Sequence, residues 1–288
     1  MGRSVVLIAV PFDLDRRGVE MGEAPGALWS AGLLSRLLAS GVSVSREVWM
    51  EEDPVQDDAV TRLGRLQSRV AGAVAAAVAD GVTPVIIGGD CCNAIGMWSG
   101  LTRAHPQSTL NVAWFDAHGD WNTEETTTSG YLGGMPYAAI CGYGNAYLRQ
   151  FAGLIQPAPT SRCILVGSRD LDAPEAELLR ATSVRIVHPD ELHGAGSAPF
   201  QGQPPPVELY LHFDIDVLDP AEAPGVTYPS PGGVSSADAV GYCRWLIAST
   251  PLAGLTLAAV NPSKDPSGRT VETAMRLLEG ILGEAAAC

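Results

Sequence analysis

The sequence predicts a three-layer α/β/α protein built on a mostly parallel sheet of about eight strands. Short apolar runs rich in Val, Ile and Leu alternate with longer amphipathic segments along the whole chain. These runs lack a two-residue alternation, as is typical of strands buried on both faces. Alternating strands and helices favour a parallel sheet that is covered by helices on both sides.

The elements follow one another in a regular order. Strands are predicted at residues 5–10, 42–48, 84–87, 110–115, 163–166, 184–187, 208–213 and 255–260. Helices are predicted at residues 24–40, 57–80, 93–103, 144–151, 174–180, 236–249 and 270–282. The Ala-rich stretch 70–79 is expected to be a buried helix, and the Gly/Pro-rich segment 194–206 a surface loop. Without an internal repeat, residues 1–288 are predicted to form a single domain.

The composition is that of a folded protein and excludes several classes of function. Of the 288 residues, 46% are hydrophobic and 17% are charged, which supports a sizeable core. The formal net charge of -14 disfavours nucleic acids and anionic membranes as partners, because both require a basic surface. No apolar stretch reaches the roughly 18 residues of a membrane span, and no targeting segment is apparent. The six cysteines show no paired framework, so we expect reduced thiols in a cytoplasmic protein.

Polar clusters follow three of the predicted strands, at the points where those strands end. The segment 88–92 (GGDCC) comes after Ile87, the segment 116–120 (DAHGD) after Phe115, and the segment 214–216 (DID) after Phe213. Ligands of open α/β sheets bind beyond the carboxyl ends of the strands. We therefore expect these segments to form a site at one edge of the sheet.

The residue types in the last two clusters indicate a metal centre. Asp116, His118 and Asp120 occupy alternate positions, as do Asp214 and Asp216, so extended backbone would turn each set to one side. Four carboxylates at one sheet edge are costly unless cations neutralise them. One imidazole among oxygens favours a first-row metal such as Mn²⁺, and two ions could share bridging carboxylates. Alternatively, these acids would cap helices or anchor loops.

These motifs resemble the signatures of a known family. GGDC, DAHGD and HFDIDVLDP are similar to the GGDH, DAHxD and SxDxDxxDP segments of the arginase/agmatinase (ureohydrolase) family, and their order and spacing agree over most of the chain. The resemblance implies a pair of Mn²⁺ ions and a bridging hydroxide that attacks a guanidinium carbon. It implies two ligand sets, one of Cys91, Asp116, Asp120 and Asp214, the other of Asp116, His118, Asp214 and Asp216. Asp120 would also orient the hydroxide and pass its proton to the leaving amine.

The chain departs from the family at the guanidinium end of the site. Cys91 replaces a His ligand; a thiolate can still bind a metal, and the alternative is the buried, inert thiol that we predict for Cys92. Gly133 stands where the family has a proton-shuttling His. Ala259 stands where arginases have a Glu that contacts the guanidinium, and Tyr228 aligns with a Thr of their head-group pocket.

The residues at the amino-acid end agree with the family. The resemblance assigns the substrate carboxylate to Asn122, Thr127 and Ser129, and the amino group to Asp172 and Glu175. Taken singly, each of these would be an ordinary turn or cap residue. As a set they favour an L-amino acid over agmatine, which lacks the carboxylate.

A retained amino-acid end and an altered guanidinium end predict an arginine with a modified head group. Loss of a buried Glu penalises a permanently charged head, and a less basic substrate has less need of a proton shuttle. Nω-hydroxy-L-arginine meets both conditions, and the departures resemble the hydroxyarginine-specific branch of the family, which serves cycloserine biosynthesis. The predicted products are L-ornithine and hydroxyurea.

Two other functions are compatible with the sequence. One is an ordinary arginase or another guanidino-acid hydrolase with an unusual pocket. The other is a non-catalytic relative that binds metal or a small ligand, since three family residues are missing. Every carboxylate of the predicted centre is nevertheless present, which favours an enzyme. The sequence leaves the assembly open between a monomer and a homo-oligomer.

Overall fold

The computed structural model describes residues 3–55, 57–104, 110–193 and 208–284. The predicted loop 194–206 and the last cysteine, Cys288, lie outside these residues. The strands are β1 (Ser4–Val10), β2 (Phe12–Asp13), β3 (Arg16–Arg17), β4 (Ser43–Trp49), β5 (Thr83–Gly88), β6 (Leu110–Phe115), β7 (Cys163–Val166), β8 (Arg185–Val187), β9 (Glu208–Asp214) and β10 (Leu252–Ala258). The helices are α1 (Ala24–Ser30), α2 (Leu33–Ala39), α3 (Ala59–Ala79), α4 (Asn93–Ala104), α5 (Pro136–Ile140), α6 (Ala146–Ala152), α7 (Ala173–Arg180), α8 (Ser236–Ser249) and α9 (Arg269–Leu282).

The centre of the molecule is one eight-stranded sheet in the order β4-β1-β5-β10-β9-β6-β7-β8. Each neighbouring pair of strands in it is parallel. The inner strands β5, β6 and β10 are mostly apolar and buried along almost their whole length, because helices cover both faces. The predicted fold class is therefore confirmed.

The core forms two layers, one on each face of the sheet. One layer joins the alternate residues Leu7, Val85 and Phe115 to helices α1, α2, α8 and α9. The other joins their neighbours along the strands, such as Ile8 and Trp114, to helices α3 to α7. This alternation follows from the two-residue period of side-chain direction in a strand. The same alternation decides which face of the sheet each side chain near the ends of the strands points to.

Three predicted elements were wrong in detail. The helix predicted at 24–40 is two helices, because Gly32 has a left-handed backbone (φ 91°) between them. The strand predicted at 255–260 runs from Leu252 to Ala258 and stops there because Ala259 has φ 63°. The stretch 70–79 is buried on one side only: Val74 and Ala77 are buried, whereas other positions on the helix are exposed.

Several short elements were not predicted from the sequence pattern. Helix α5 has five residues, too few to show a helical period, and β2 and β3 form a two-residue antiparallel pair. No helix within the described ranges is long and apolar enough to cross a membrane. The five cysteines in those ranges are buried free thiols.

Candidate metal centre and substrate pocket

The three polar segments meet at the carboxyl edge of the sheet. Strands β5, β10, β9 and β6 are adjacent, so the loops after β5, β9 and β6 open side by side. Register pairs Phe115 with Phe213 and Ala258 with Asp214, which places Asp116 and Asp214 at the same level of the edge. The convergence expected from strand-end positions therefore occurs.

Two groups of potential metal ligands lie in this edge. Cys91, Asp116 and Asp120 have ligand atoms within 4.8 Å of one another. Asp116, His118 and Asp216 form a second group by the same measure, so Asp116 belongs to both. Asp214 adjoins the first group, with its Oδ2 3.0 Å from the Sγ of Cys91. All six residues predicted as ligands are thus brought together.

Backbone N–H groups orient most of the carboxylates. The amide of His118 donates to Asp116 Oδ1 (2.7 Å), and the amide of Asp216 donates to Asp214 Oδ1 (2.8 Å). The second contact caps the short helix Ile215–Val217, so the cap role considered for these acids does apply to Asp214. The remaining oxygen of Asp214 faces Cys91, so the cap role and the metal-ligand role use different atoms.

Asp120 is the most unusual of these residues. It is buried, and its backbone has φ 48°, a conformation that costs energy outside glycine and clusters at functional sites. Its carbonyl accepts the amides of Tyr137 and Ala138 at the start of α5, both at 3.1 Å, which holds this backbone in place. Its Oδ2 is buried and has no hydrogen-bond partner among the described residues. A buried carboxylate oxygen without a partner requires a cation or a proton.

The electrostatics of the cluster fit divalent cations. Burial raises the pKa of Asp120 and of Asp214 well above the usual range, and repulsion by Asp116 adds to the effect. Burial disfavours protonated His118, yet its contacts with Asp116 and Asp216 (Nδ1 to Oδ2, 3.1 Å) raise its pKa to about 12. These residues therefore attract positive charge, and their oxygen, nitrogen and sulfur donors suit a first-row metal.

Cys91 and Cys92 have different surroundings. Burial and the nearby Asp214 raise the pKa of Cys91, whose thiol faces the carboxylates. A bound cation would oppose this shift, because a metal stabilises the thiolate. Cys92 instead contacts the carbonyl of Leu132 (3.5 Å) within the core, which fits the packing role predicted for it.

A cavity of ≈ 260 Å³ opens above the carboxylates. Asn122, Ser129, Asp172 and Glu175, which were predicted to bind the amino-acid end of the substrate, all line it. Thr127 does not line it; its Oγ1 accepts from the amide of Gly130 (3.0 Å), which is a turn role. Four of the five predicted substrate contacts therefore lie in the lining of one cavity.

Asp172 and Glu175 also begin helix α7. Glu175 Oε2 accepts from the amide of Asp172 (3.2 Å), as in a capping box, and its Oε1 accepts from the amide of Trp121 (2.8 Å). Burial raises the pKa of Glu175 to about 7. The cap role and the pocket role are therefore combined in the same carboxylate, which joins the loop carrying Asp120 to α7.

The positions that depart from the family motifs line the same cavity. They are Gly133, Tyr228 and Ala259, and Ala259 offers only a methyl group there. A Cβ atom on Gly133 would lie 2.4 Å from ring carbons of Tyr131 and 2.6 Å from its hydroxyl, so the phenol of Tyr131 occupies the space of a side chain at 133. The rings of Tyr131 and Tyr228 lie 5.5 Å apart.

Sequence reasoning missed Tyr131 as a pocket residue. Its place in the wall depends on the path of a Gly-rich segment, which no periodic pattern describes. The available signal was local: Tyr131 is the one aromatic residue in the segment 129–135, which contains three glycines. Such a segment provides space that a nearby large ring can fill.

The comparisons with known proteins identify the family of this chain. The arginase family model matches residues 3–283 of the chain. The chain is 30% identical to the arginase of Bacillus caldovelox, covering 98% of this chain and 99% of that one, and 31% identical to arginase-1 of Sus scrofa, covering 98% and 94%. The structure matches the arginase of Bacillus cereus with a TM-score of 0.86 at 29% identity, covering 99% and 100% of the two chains. The chain belongs to the arginase family, whose members are metal-dependent hydrolases of amidine C–N bonds.

Proposed function

We propose that this protein is a binuclear-manganese amidinohydrolase that converts Nω-hydroxy-L-arginine into L-ornithine and hydroxyurea. One observation carries the choice of substrate: the pocket has no carboxylate at Ala259 and holds the Tyr131 phenol in the space of position 133. The same pocket keeps polar residues expected to bind an amino acid. The products suit the cycloserine pathway implied by the resemblance described above.

We assign the two ions to overlapping sets of donors. The first ion would be held by Cys91, Asp116, Asp120 and Asp214, and the second by Asp116, His118, Asp214 and Asp216, with Asp116 and Asp214 shared. The compact groups and the unpartnered Asp120 Oδ2 support this assignment. When bound, the ions would supply a bridging hydroxide near neutral pH and stabilise negative charge on the reacting centre.

We propose two roles for Asp120: it positions the nucleophile, and it carries a proton to the leaving nitrogen. Its Oδ2 has no hydrogen-bond partner in the part of the chain that the structure describes, and its backbone is fixed by α5, so the carboxylate can hold the nucleophile in line with the substrate carbon. The bond from that carbon to the ornithine nitrogen breaks, and Asp120 gives its proton to this nitrogen as it leaves. Water supplies the oxygen of the new carbonyl group of hydroxyurea.

The absence of a carboxylate at position 259 selects the head group of the substrate in this proposal. A guanidinium ion that loses its water without gaining an anionic partner is strongly disfavoured, whereas a hydroxyguanidine is less basic and can enter neutral. Ala259 provides no such partner. Tyr131 instead fills the space next to Gly133, and its ring lies 5.5 Å from that of Tyr228, so two phenol side chains line the pocket, which suits a neutral polar head.

The amino-acid end is selected by charge. Asp172 and Glu175 offer carboxylates for the α-ammonium group, and Asn122 and Ser129 offer polar groups for the α-carboxylate. We keep Thr127 in this set because its loop adjoins Ser129, although it needs to leave its turn contact with Gly130. Agmatine would bind poorly, because it has no carboxylate to meet Asn122 and Ser129.

The test compares ornithine release from L-arginine and Nω-hydroxy-L-arginine, and putrescine release from agmatine, by Mn²⁺-loaded protein. We expect strong preference for the hydroxylated substrate. Hydrolysis of L-arginine at an equal or greater rate would overturn the proposed specificity and favour an ordinary arginase, the activity named for the relatives described above. No turnover of any substrate would favour a non-catalytic relative.

We further propose that residues 1–288 form one domain and act in the cytoplasm, where the buried free thiols would stay reduced.

A further inference from the structure

Two cysteine thiols touch each other outside the metal centre. The Sγ atoms of Cys141 and Cys163 lie 3.7 Å apart. Cys141 caps the C-terminal end of α5, and Cys163 is the first residue of β7, so the contact joins a helix to a strand of the central sheet. The thiols discussed above differ from this pair, because Cys91 faces Asp214 and Cys92 faces a backbone carbonyl.

Backbone hydrogen bonding brings the two cysteines together. The amide of Ala158 donates to the carbonyl of Ile140 (2.8 Å), the residue before Cys141, and so brings the chain that leads into β7 against the end of α5. The thiol of Cys163 also lies 3.4 Å from the carbonyl of Pro159 in that same stretch. The contact between the thiols therefore follows from the path of the main chain, which the fold maintains.

The distance between the thiols is short enough for a covalent bond to form with a small movement. A disulfide has an S–S bond of about 2.05 Å, so the two Sγ atoms need to approach each other by about 1.7 Å. The staggered rotamers of a cysteine differ by about 120° in χ1, so side-chain rotation supplies much of this movement. Cys141 and Cys163 therefore meet the first requirement of a disulfide, which is proximity in the folded chain.

The chain between the two cysteines supports a loop of the substrate pocket. The amide of Asn145 donates to both carboxylate oxygens of Glu124 (2.7 and 2.8 Å), and Glu124 belongs to the pocket segment 122–129. Asn145 has φ 46°, a backbone conformation that costs energy outside glycine and persists only where the surroundings impose it. A covalent link between Cys141 and Cys163 would close the base of this supporting segment.

We propose that Cys141 and Cys163 are a site of oxidative modification, at which a peroxide converts the two thiols into a disulfide that crosslinks α5 to β7. The sulfur of Cys141, which is 7% exposed against 2% for Cys163, attacks one oxygen of the peroxide. The O–O bond breaks, water leaves and a sulfenic acid remains. The sulfur of Cys163 then attacks the sulfenic sulfur, so that the S–O bond breaks, the S–S bond forms and a second water leaves. Two thiols and one hydrogen peroxide thus give one disulfide and two waters, and the peroxide is the oxidant.

Burial makes this modification slow and the resulting link stabilising. It raises the pKa of Cys141, so the reactive thiolate is scarce and the pair stays reduced until oxidant exposure is sustained. The two cysteines are 22 positions apart in sequence, and a link between them restricts the unfolded chain more than the folded one. We expect the crosslink to raise the Tm by about 5 °C. The inference depends on neither the metal ions nor the substrate of the proposed function.

The test treats the full-length protein with hydrogen peroxide, alkylates the remaining thiols and maps the peptides by mass spectrometry. We expect a linked peptide that contains Cys141 and Cys163, its loss after dithiothreitol, and a higher Tm of the oxidised protein. Cys163→Ser should lose both the link and the rise in Tm. Cys243→Ser is the matched control: Cys243 is equally buried but lies in the other layer of the core, so its substitution should leave the 141–163 link in place.

Refolding in a glutathione redox buffer removes the barrier that burial sets to the reagent. The unfolded chain exposes its thiols, so the linked fraction after refolding reports whether the folded structure favours the bond between Cys141 and Cys163. Absence of this link after both peroxide treatment and refolding would overturn the inference, as would links distributed evenly among other pairs of cysteines. If Cys163→Ser does not fold, the wild type measured before and after dithiothreitol carries the same test, and an equal Tm in the linked and reduced forms would refute the stabilising role.

Discussion

Replacing Glu175 by glutamine is expected to change how the free energy of unfolding depends on pH. Glu175 is 3% exposed, and burial raises its pKa from 4.5 to about 7 in the folded chain. Between these values the folded state keeps a proton that the unfolded state has released, so stability falls as pH rises through this window. A shift of this size corresponds to a loss of about 3 kcal/mol, complete above pH 7.

Glutamine cannot ionise, so Glu175→Gln should remove this part of the pH dependence. The amide also meets two backbone N–H donors with one acceptor oxygen, which should destabilise the variant at every pH by about 1–3 kcal/mol. The measurement is urea unfolding of metal-free protein at pH 5 and pH 8. From pH 5 to pH 8 the free energy of unfolding should fall more in the wild type than in Glu175→Gln, by a difference on the order of 3 kcal/mol.

Glu177→Gln provides the matched control on the same helix. Glu177 lies two residues further along α7 and is exposed, so its substitution should leave the pH dependence as in the wild type. Other buried acids near Asp116 are present in all three proteins. Repulsion between Glu175 and Asp120 is removed only in Glu175→Gln, so it forms part of the expected difference. If Glu175→Gln and Glu177→Gln showed the same change in stability between pH 5 and pH 8, the reasoning about Glu175 would be refuted.

Three further predictions concern the metal centre and the fold. Cys91→His should still bind two ions, but the Co²⁺-substituted protein should lose its thiolate-to-metal absorption, which Cys92→Ser keeps; an unchanged spectrum would contradict ligation by Cys91. Asp120→Asn should lower turnover by about 100-fold or more, because it removes the proton carrier, and near-full turnover with both ions bound would show that role to be wrong. Arg36→Met should lower the free energy of unfolding by about 1 kcal/mol in urea titrations, because Arg36 bonds Glu272 and Glu279 of α9 from α2. The more exposed Arg276→Met should change it less, and equal effects would contradict the importance of this link.

The parts of the fold that were predictable are those governed by a repeating pattern. The strands at 110–115 and 163–166 were predicted with the bounds observed, because an apolar run between polar loops defines both ends. The break at Gly32 was not predicted, since glycine is compatible with a helix and its backbone angle depends on packing. The end of β10 at Ala258 was not predicted either, because it also depends on packing. The amide of Ala259 donates to the carbonyl of Gly89 (2.6 Å), a contact between distant segments of the chain.

The site, like the fold, has features that the sequence predicts and features that depend on tertiary packing. Asp116 and Asp214 could be placed together because both follow parallel strands, whose ends share one edge. The filling of the Gly133 space by Tyr131 could not be foreseen, because it depends on how a loop folds back on itself. The stacking of the Trp114 and His212 rings (3.7 Å between centroids) was likewise hidden, since it requires knowing that β6 and β9 are neighbours.

The order of strands in the sheet has a consequence for how the protein is made. Cys91 and Asp214 face each other across 123 positions of sequence, and Ala117 and Asp216 across 99. Strand β9 lies between β10, which is synthesised after it, and β6, which is synthesised long before it. Such long-range pairings form slowly, so the donors on the loop after β6 emerge from the ribosome without their partners. The proposed metal ions could therefore be bound fully only by a chain in which β9 has inserted beside β6, and retention of metal would report that this insertion has occurred.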